Sequence, residues 1–255
     1  MIDRHTLEGI ARIKGLNLGN AERDYLLDIV LLLISRRTKN ELIFKGGTAL
    51  FKFYGLNRFS EDLDFTLMKE LDIEKAFSDI TKDTKFFGID TKIKDKTIAL
   101  NSIFLTLKTK GPLYNGHERS MSTIRIDINK KITVDRKPET KDYSSLYPDI
   151  PTFSVLVMNQ EELLAEKLRV LLTREKARDL YDIWFMLKRG VVLDITLLEK
   201  KLDYYDKKFS KTELKGAVRN KAKIWEVELR PLVLGELPKF SVVAKECLNY
   251  IVRGS

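Results

Sequence analysis

The sequence predicts an α+β protein, a mixed sheet flanked by helices followed by a helical C-terminal domain. Three observations carry this. Strand-like and helix-like segments alternate through the first half of the chain. A stretch at 129–158 then collects Pro138, Pro148 and Pro151, three of the six prolines. Beyond residue 158 every patterned segment has helical spacing.

The elements follow in order. Residues 20–37 place Leu26, Leu27, Val30, Leu33 and Ile34 at helical spacing, with Asn20 as the expected N-cap. Leu42, Ile43 and Phe44 form a short strand, ended by Gly46-Gly47, and 48–54 is a helical turn or two. A strand at 63–67 precedes a helix at 73–84. Three strands come next, at 89–93, 102–108 and 122–128, the last with strict period-two alternation. The proline-bearing stretch reads as a connection, which sets a core domain at 1–150 and a helical domain at 151–255. Helices are expected at 159–173, 177–188, 195–207, 211–227 and 242–252.

Composition narrows the function classes. The 255 residues carry 46 Lys plus Arg against 37 Asp plus Glu, a net charge of +9. No apolar run approaches the length of a spanning helix, so no membrane partner is expected. The start, with Asp3, Arg4 and His5, has no apolar signal region. Cys247 is the only cysteine, which excludes an internal disulfide and suits a cytoplasmic location. With two histidines and one cysteine, a structural zinc site is not expected. The basic excess permits a nucleic acid, a nucleotide or an anionic surface as partner. It is uneven: the segment 200–223, from Lys200 to Lys223, holds nine basic residues against Asp203, Asp206 and Glu213.

The chemistry lies in three acids and a glycine turn. Asp62 and Asp64 stand two apart on a strand and so share a face, while Leu63 and Phe65 point to the other. Two adjacent carboxylates repel unless a cation neutralises them, and hard oxygen donors suit Mg²⁺. Asp127, on the alternating strand, can complete a three-carboxylate site. Upstream, Gly46, Gly47 and Thr48 follow a strand and open a helix, where backbone N–H groups and a hydroxyl can hold phosphate oxygens; Ser60 offers another hydroxyl. A Gly-Gly pair or an Asp-x-Asp pair alone is a common turn or a solvated strand edge. Together, in this order, they suit phosphoryl or nucleotidyl transfer with one or two metals. His5 and His117 are isolated and offer no base.

The run from Phe44 to Leu50 with Arg58 to Phe65, joined to Ala165–Arg169 and Arg174–Ile183, resembles the AbiEii abortive-infection nucleotidyltransferase toxins of the polymerase β-like superfamily. The resemblance implies a polymerase β-like nucleotidyltransferase core and an NTP substrate held by Gly46, Gly47, Thr48 and Ser60. It implies two Mg²⁺ on Asp62, Asp64 and Asp127, with Lys167 and Arg178 at the nucleotide. It further implies a helical aspartate required for activity, matched by Asp182 with Asp179 as the competing position. The implied acceptor is the 3′ end of tRNA and the implied partner a cognate antitoxin; the charge excess of the segment 200–223 offers a phosphate-binding surface for that RNA. Nucleotidyl or phosphoryl transfer to a protein or small molecule, or a binding module without turnover, are the other readings. The residues alone also allow a plainer account of the helix at 177–188, in which Arg178 and Asp182 make an intrahelical pair. A helix unbroken past Thr173 would put Lys167, Arg174, Arg178 and Asp182 on one broad face.

Overall fold

The computed structural model describes residues 1–130 and 133–253. The chain divides into two compact units, each drawn from discontinuous segments. The first comprises Met1–Tyr54, Phe59–Lys131 and Pro138–Val157, and the second Gly55–Arg58, Ile132–Lys137 and Met158–Ser255.

The first unit holds a seven-stranded sheet. Its strands are β1 (Leu42–Lys45), β2 (Asp62–Leu67), β3 (Asp90–Ile98), β4 (Ser102–Lys110), β5 (Ser122–Asn129), β6 (Glu139–Tyr143) and β7 (Phe153–Val157), in spatial order β3-β4-β5-β2-β1-β7-β6. β2 pairs with β5 in parallel, as does β1 with β7, and the other pairs are antiparallel. The alternation seen in the sequence is kept. Leu63 and Phe65, Ile124, Ile126 and Ile128, and Ile103, Leu105 and Leu107 are all buried. α2 (Leu18–Thr38) packs on β5 and β7, and α4 (Ile73–Asp83) packs on β3.

Two expectations change in this unit. The stretch 129–158 is not only a connection: it carries β6 and β7, although Lys131 and Ile132 lie outside the described residues. Pro148 and Pro151 fall between these strands, where a missing N–H breaks no ladder. β6 reads as polar because it is an edge strand, paired on one side only. The second change concerns the start of α2, which is capped by Asn17 rather than Asn20. The Asn17 side chain accepts from the Asn20 N–H at 2.8 Å. An additional helix, α1 (Arg4–Lys14), begins where Asp3 accepts from the Thr6 N–H at 2.7 Å. It ends at Gly15 in the left-handed conformation.

α3 (Gly46–Tyr54) follows β1 without a loop. It is fixed to α2 by a buried charge cluster. Lys52 lies between Asp24, at 2.8 Å, and Asp28, and Lys14 also pairs with Asp24. The Tyr143 and Ser145 hydroxyls donate to Asp28 at 3.1 and 2.6 Å. Burial works against the Lys52 charge, yet Asp24 and then Asp28 more than offset it and hold the ammonium well protonated.

The second unit is helical: α5 (Gln160–Leu171), α6 (Ala177–Lys188), α7 (Ile195–Asp203), α8 (Lys211–Asn220), α9 (Trp225–Leu229) and α10 (Phe240–Arg253). α6 touches α5, α9 and α10 and is buried along most of its length. The helix expected at 159–173 stops at Leu171, so α5 and α6 are separate and the single broad face is not formed. The helix expected at 211–227 is broken by a 3₁₀ turn at Lys221–Ile224. Lys221 turns inward there and donates to the Arg174 carbonyl at 2.7 Å. Trp225, which follows the turn, is fully buried. No helix among the described residues is long and apolar enough to cross a membrane.

Replacing Lys52 by Met leaves Asp24 and Asp28 buried without the cation between them. We expect unfolding free energy to fall by about 3–5 kcal/mol, read as a lower urea midpoint.

Candidate active site

The glycine turn is built against the acids. Gly46 opens α3 at φ 77°, in a backbone region that side chains rarely adopt. A Cβ at this position would lie 2.8 Å from Cγ of Asp64 and closer still to Oδ2. The Asp64 carboxylate thus occupies the space that the glycine leaves. Lys45, the residue before the turn, is the cross-strand partner of Asp64.

The parallel pairing of β2 and β5 supplies the third acid. Asp64 stands opposite Asp127 and Asp62 opposite Arg125. Because side chains alternate along each strand, Asp62, Asp64, Arg125, Asp127 and Asn129 share one face. Arg125 Nη1 lies 3.7 Å from Asp62 Oδ1, with the arginine largely in solvent. The three carboxylates are hard oxygen donors on adjacent, registered strands, which is the donor chemistry a divalent cation takes. As the side chains stand, no group of three or more His, Cys, Asp or Glu among the described residues is arranged to hold a metal ion. The backbone brings the acids to one face, and binding would require their carboxylates to rotate toward a common point.

One residue expected at the phosphates has another partner. Thr48 is fully buried, and its hydroxyl donates to the Asp62 carbonyl at 2.5 Å. Its single proton is therefore committed to tying the first turn of α3 to the first residue of β2. Gly47 is buried in that same turn, and Ser60 is half-buried two residues before Asp62.

Lys167, Arg178 and Asp182 lie in the second unit, where α5 and α6 face each other. The intrahelical Arg178–Asp182 pair is not formed. Asp182 instead receives Arg58 in a two-pronged pair, Nε to Oδ1 and Nη2 to Oδ2, both at 2.6 Å. Lys167 reaches Asp182 at 2.7 Å and Asp179 at 3.2 Å, and Arg174 donates to both oxygens of Asp179 at 2.7 and 2.8 Å. Both aspartates and Arg58 are fully buried. Burial opposes ionisation of Asp182, but Arg58 and then Lys167 outweigh it and keep the carboxyl below its ordinary range. Asp179 is held low in the same way, by Lys167 and Arg174 against burial. Arg178 lies 3.9 Å from Glu228, whose other oxygen accepts from the Ala177 N–H at 2.6 Å.

Arg58 is the residue whose part in this network the sequence did not disclose. Its place in the Arg-x-Ser-x-Asp-x-Asp run was visible, but its partner lies far along the chain, on α6.

The basic segment 200–223 is not uniformly a surface. Lys201 is buried and pairs with Glu162, and Lys221 is buried against Arg174. Lys207, Lys208, Lys211, Lys215, Arg219 and Lys223 are exposed. Tyr205 already carries the Arg169 guanidinium over its ring, 4.4 Å from the centroid.

A family model described as "Nucleotidyl transferase AbiEii toxin, Type IV TA system" matches residues 33–245. Among solved structures, the chain is similar to MenT4, a nucleotidyltransferase toxin from Mycobacterium tuberculosis. That match has a TM-score of 0.69 and 20% identity, over 99% of this chain and 90% of that one. It is also similar to JHP933 from Helicobacter pylori, with a TM-score of 0.58 and 18% identity over 92% and 90% of the two chains. These likenesses show a shared fold. No curated protein sequence matches the chain.

Asp182→Asn leaves Arg58 and Lys167 buried beside a neutral amide, and we expect a loss of about 3–5 kcal/mol at neutral pH. Because the folded carboxyl titrates below its unfolded value, its contribution is present above the ordinary carboxylate pKa and is lost as pH falls through the folded value. The gap between wild type and variant in urea unfolding should therefore narrow as the pH is lowered from neutral into the carboxylate range. A gap independent of pH would contradict this reading.

Proposed function

The chain belongs to the AbiEii nucleotidyltransferase toxin family of type IV toxin–antitoxin systems, and from that premise we propose that it moves a nucleotide from an NTP to the 3′ end of tRNA. The observation that carries the proposal is the common face of Asp62, Asp64 and Asp127 beside a glycine turn that opens a helix. Asp62, Asp64 and Asp127 are the residues to hold Mg²⁺, which when bound neutralises triphosphate charge and lowers the pKa of an attacking hydroxyl.

The protein's own groups divide the remaining work. The backbone N–H groups of Gly46 and Gly47, at the start of α3, donate to triphosphate oxygens. Thr48 positions Asp62 through its carbonyl. Asp127 orients the acceptor hydroxyl or takes its proton. Lys167 and Asp182, each already committed to buried ion pairs, support activity as positioning residues that hold the second unit together. The exposed cations of the segment 200–223 supply phosphate contacts for RNA. The family implies an antitoxin that binds this protein or opposes its product.

Incubation with labelled NTPs and purified total tRNA tests the reaction. We expect label on RNA and release of pyrophosphate; label on protein, or release of a nucleoside diphosphate, would overturn it. Asp62→Asn with Asp64→Asn, which keeps the side-chain volume against Gly46, should abolish labelling while the thermal midpoint stays near wild type. Replacing Lys207, Lys208 and Lys211 by Gln should weaken RNA binding and flatten its log–log salt dependence by about 2–3, with NTP binding unchanged. An equal loss of NTP binding would sink that assignment.

A further inference from the structure

On β4, one ring breaks the pattern of the sheet. Ile103, Leu105 and Leu107 are buried, and Ser102, Phe104, Thr106 and Lys108 point to the opposite face. Phe104 is 48% exposed, a large apolar side chain in water on the face that carries the acids. It is the cross-strand partner of Asp127, as Thr106 is of Arg125. Side chains directly opposite in an antiparallel pair have Cβ atoms about 4.5–5.5 Å apart, so the ring stands next to the third acid.

The order of strands gives the ring a direction. One row across the sheet reads Lys45 on β1, Asp64 on β2, Asp127 on β5 and Phe104 on β4. The glycine turn leaves β1 at one end of this row. Phe104 is at the other end, three strand spacings away, or about 14 Å at ~4.8 Å each. In-line displacement at phosphorus puts the attacking hydroxyl and the leaving pyrophosphate on opposite sides of the reacting centre. With the triphosphate at the glycine turn, the acceptor approaches from the side of Phe104. Arg125, opposite Thr106, has 65% of its side chain in solvent, and further along the same face Lys108 stands opposite Lys92, which pairs with Glu118 at 2.8 Å. An exposed ring with a guanidinium diagonally beside it and a lysine further along the strand suits a single-stranded nucleic acid, the base stacked and the backbone neutralised.

We propose that Phe104 is the stacking platform for the terminal base of the acceptor strand, with Arg125 and Lys108 as its backbone contacts. This rests on the nucleotidyl-transfer reading above and names the group that places the acceptor hydroxyl at Asp127. Phe104 is a positioning residue here and takes no part in proton or phosphoryl transfer.

The test uses the full chain, a fluorescent single-stranded oligoribonucleotide for binding and total tRNA with labelled NTP for turnover. Phe104→Ala should raise the oligonucleotide Kd and the acceptor KM by about 5- to 150-fold, the range for one stacked base. The NTP KM and the thermal midpoint should not move, because the ring is exposed, and Phe104→Trp should restore binding. An unchanged acceptor KM and Kd overturns the proposal, as does a rise in NTP KM with the acceptor untouched, which would assign the ring to the donor base. The parent reading fails separately: a wild type that labels no RNA overturns both, whereas a wild type and a Phe104→Ala variant that label RNA with equal KM overturn this one alone.

Discussion

The carboxylate of Asp64 fills the space where Gly46 has no side chain, and much of the first unit follows from that contact. For the two residues to meet, β1 must run antiparallel to β2 with Lys45 opposite Asp64, and α3 must begin without an intervening loop. The helix start is then held from two sides. Thr48 binds the carbonyl of Asp62, and Lys52, one turn on, is locked between Asp24 and Asp28 of α2. A helix terminus and a pair of acids would drift apart if each were placed by a separate flexible loop. Here they share a backbone junction, and rigid elements place sites more closely than loops do.

Both units use buried charge to fix geometry. Lys52 with Asp24 and Asp28, and Arg58 with Asp182, Lys167 and Asp179, are ion-pair networks away from solvent. Such networks are poor sources of net stability, since desolvation offsets most of the attraction. Their strength is directional: an arginine fork on a carboxylate permits one orientation, and an apolar pair permits many. Asp182 therefore has a structural reason to be an aspartate that is independent of any substrate. Stability measurements on a changed Asp182 separate a loss of activity through the fold from a loss of a chemical role.

How far the sequence was legible depends on the range over which each interaction acts. The period-two alternation of β5 and the Asp62-Leu63-Asp64-Phe65 run are local, and the structure keeps both. The strand–glycine–helix order around Gly46 was equally readable. β6 and β7 were hidden because an edge strand need not alternate and because two prolines sit between them. The break at Lys221 was hidden because lysine reads as a solvated helical residue, and only tertiary structure supplies the Arg174 carbonyl that draws it inward. Arg178 and Asp182, four apart on a helix, looked paired by the local rule. The Arg58 guanidinium, brought from far along the chain, instead takes both carboxylate oxygens in a fork. A local rule fails when a distant partner has better geometry.

The charge of +9 shows the same limit. Counted along the chain, the excess concentrates between Lys200 and Lys223. In the fold, Lys201 and Lys221 belong to the interior of the second unit and offer no contact to a polyanion in solvent. Meanwhile Lys92, Lys108 and Arg125 are scattered through three strands of the sequence, and the sheet gathers them on the face of Asp62, Asp64 and Asp127. Screening confines each charge to roughly a Debye length, about 8 Å at physiological salt. Of these, Arg125 lies within that reach of the acids, 3.7 Å from Asp62, which a count along the chain cannot reveal. A basic total sets whether a polyanion is attracted; the register of the sheet sets which cations stand beside the carboxylates.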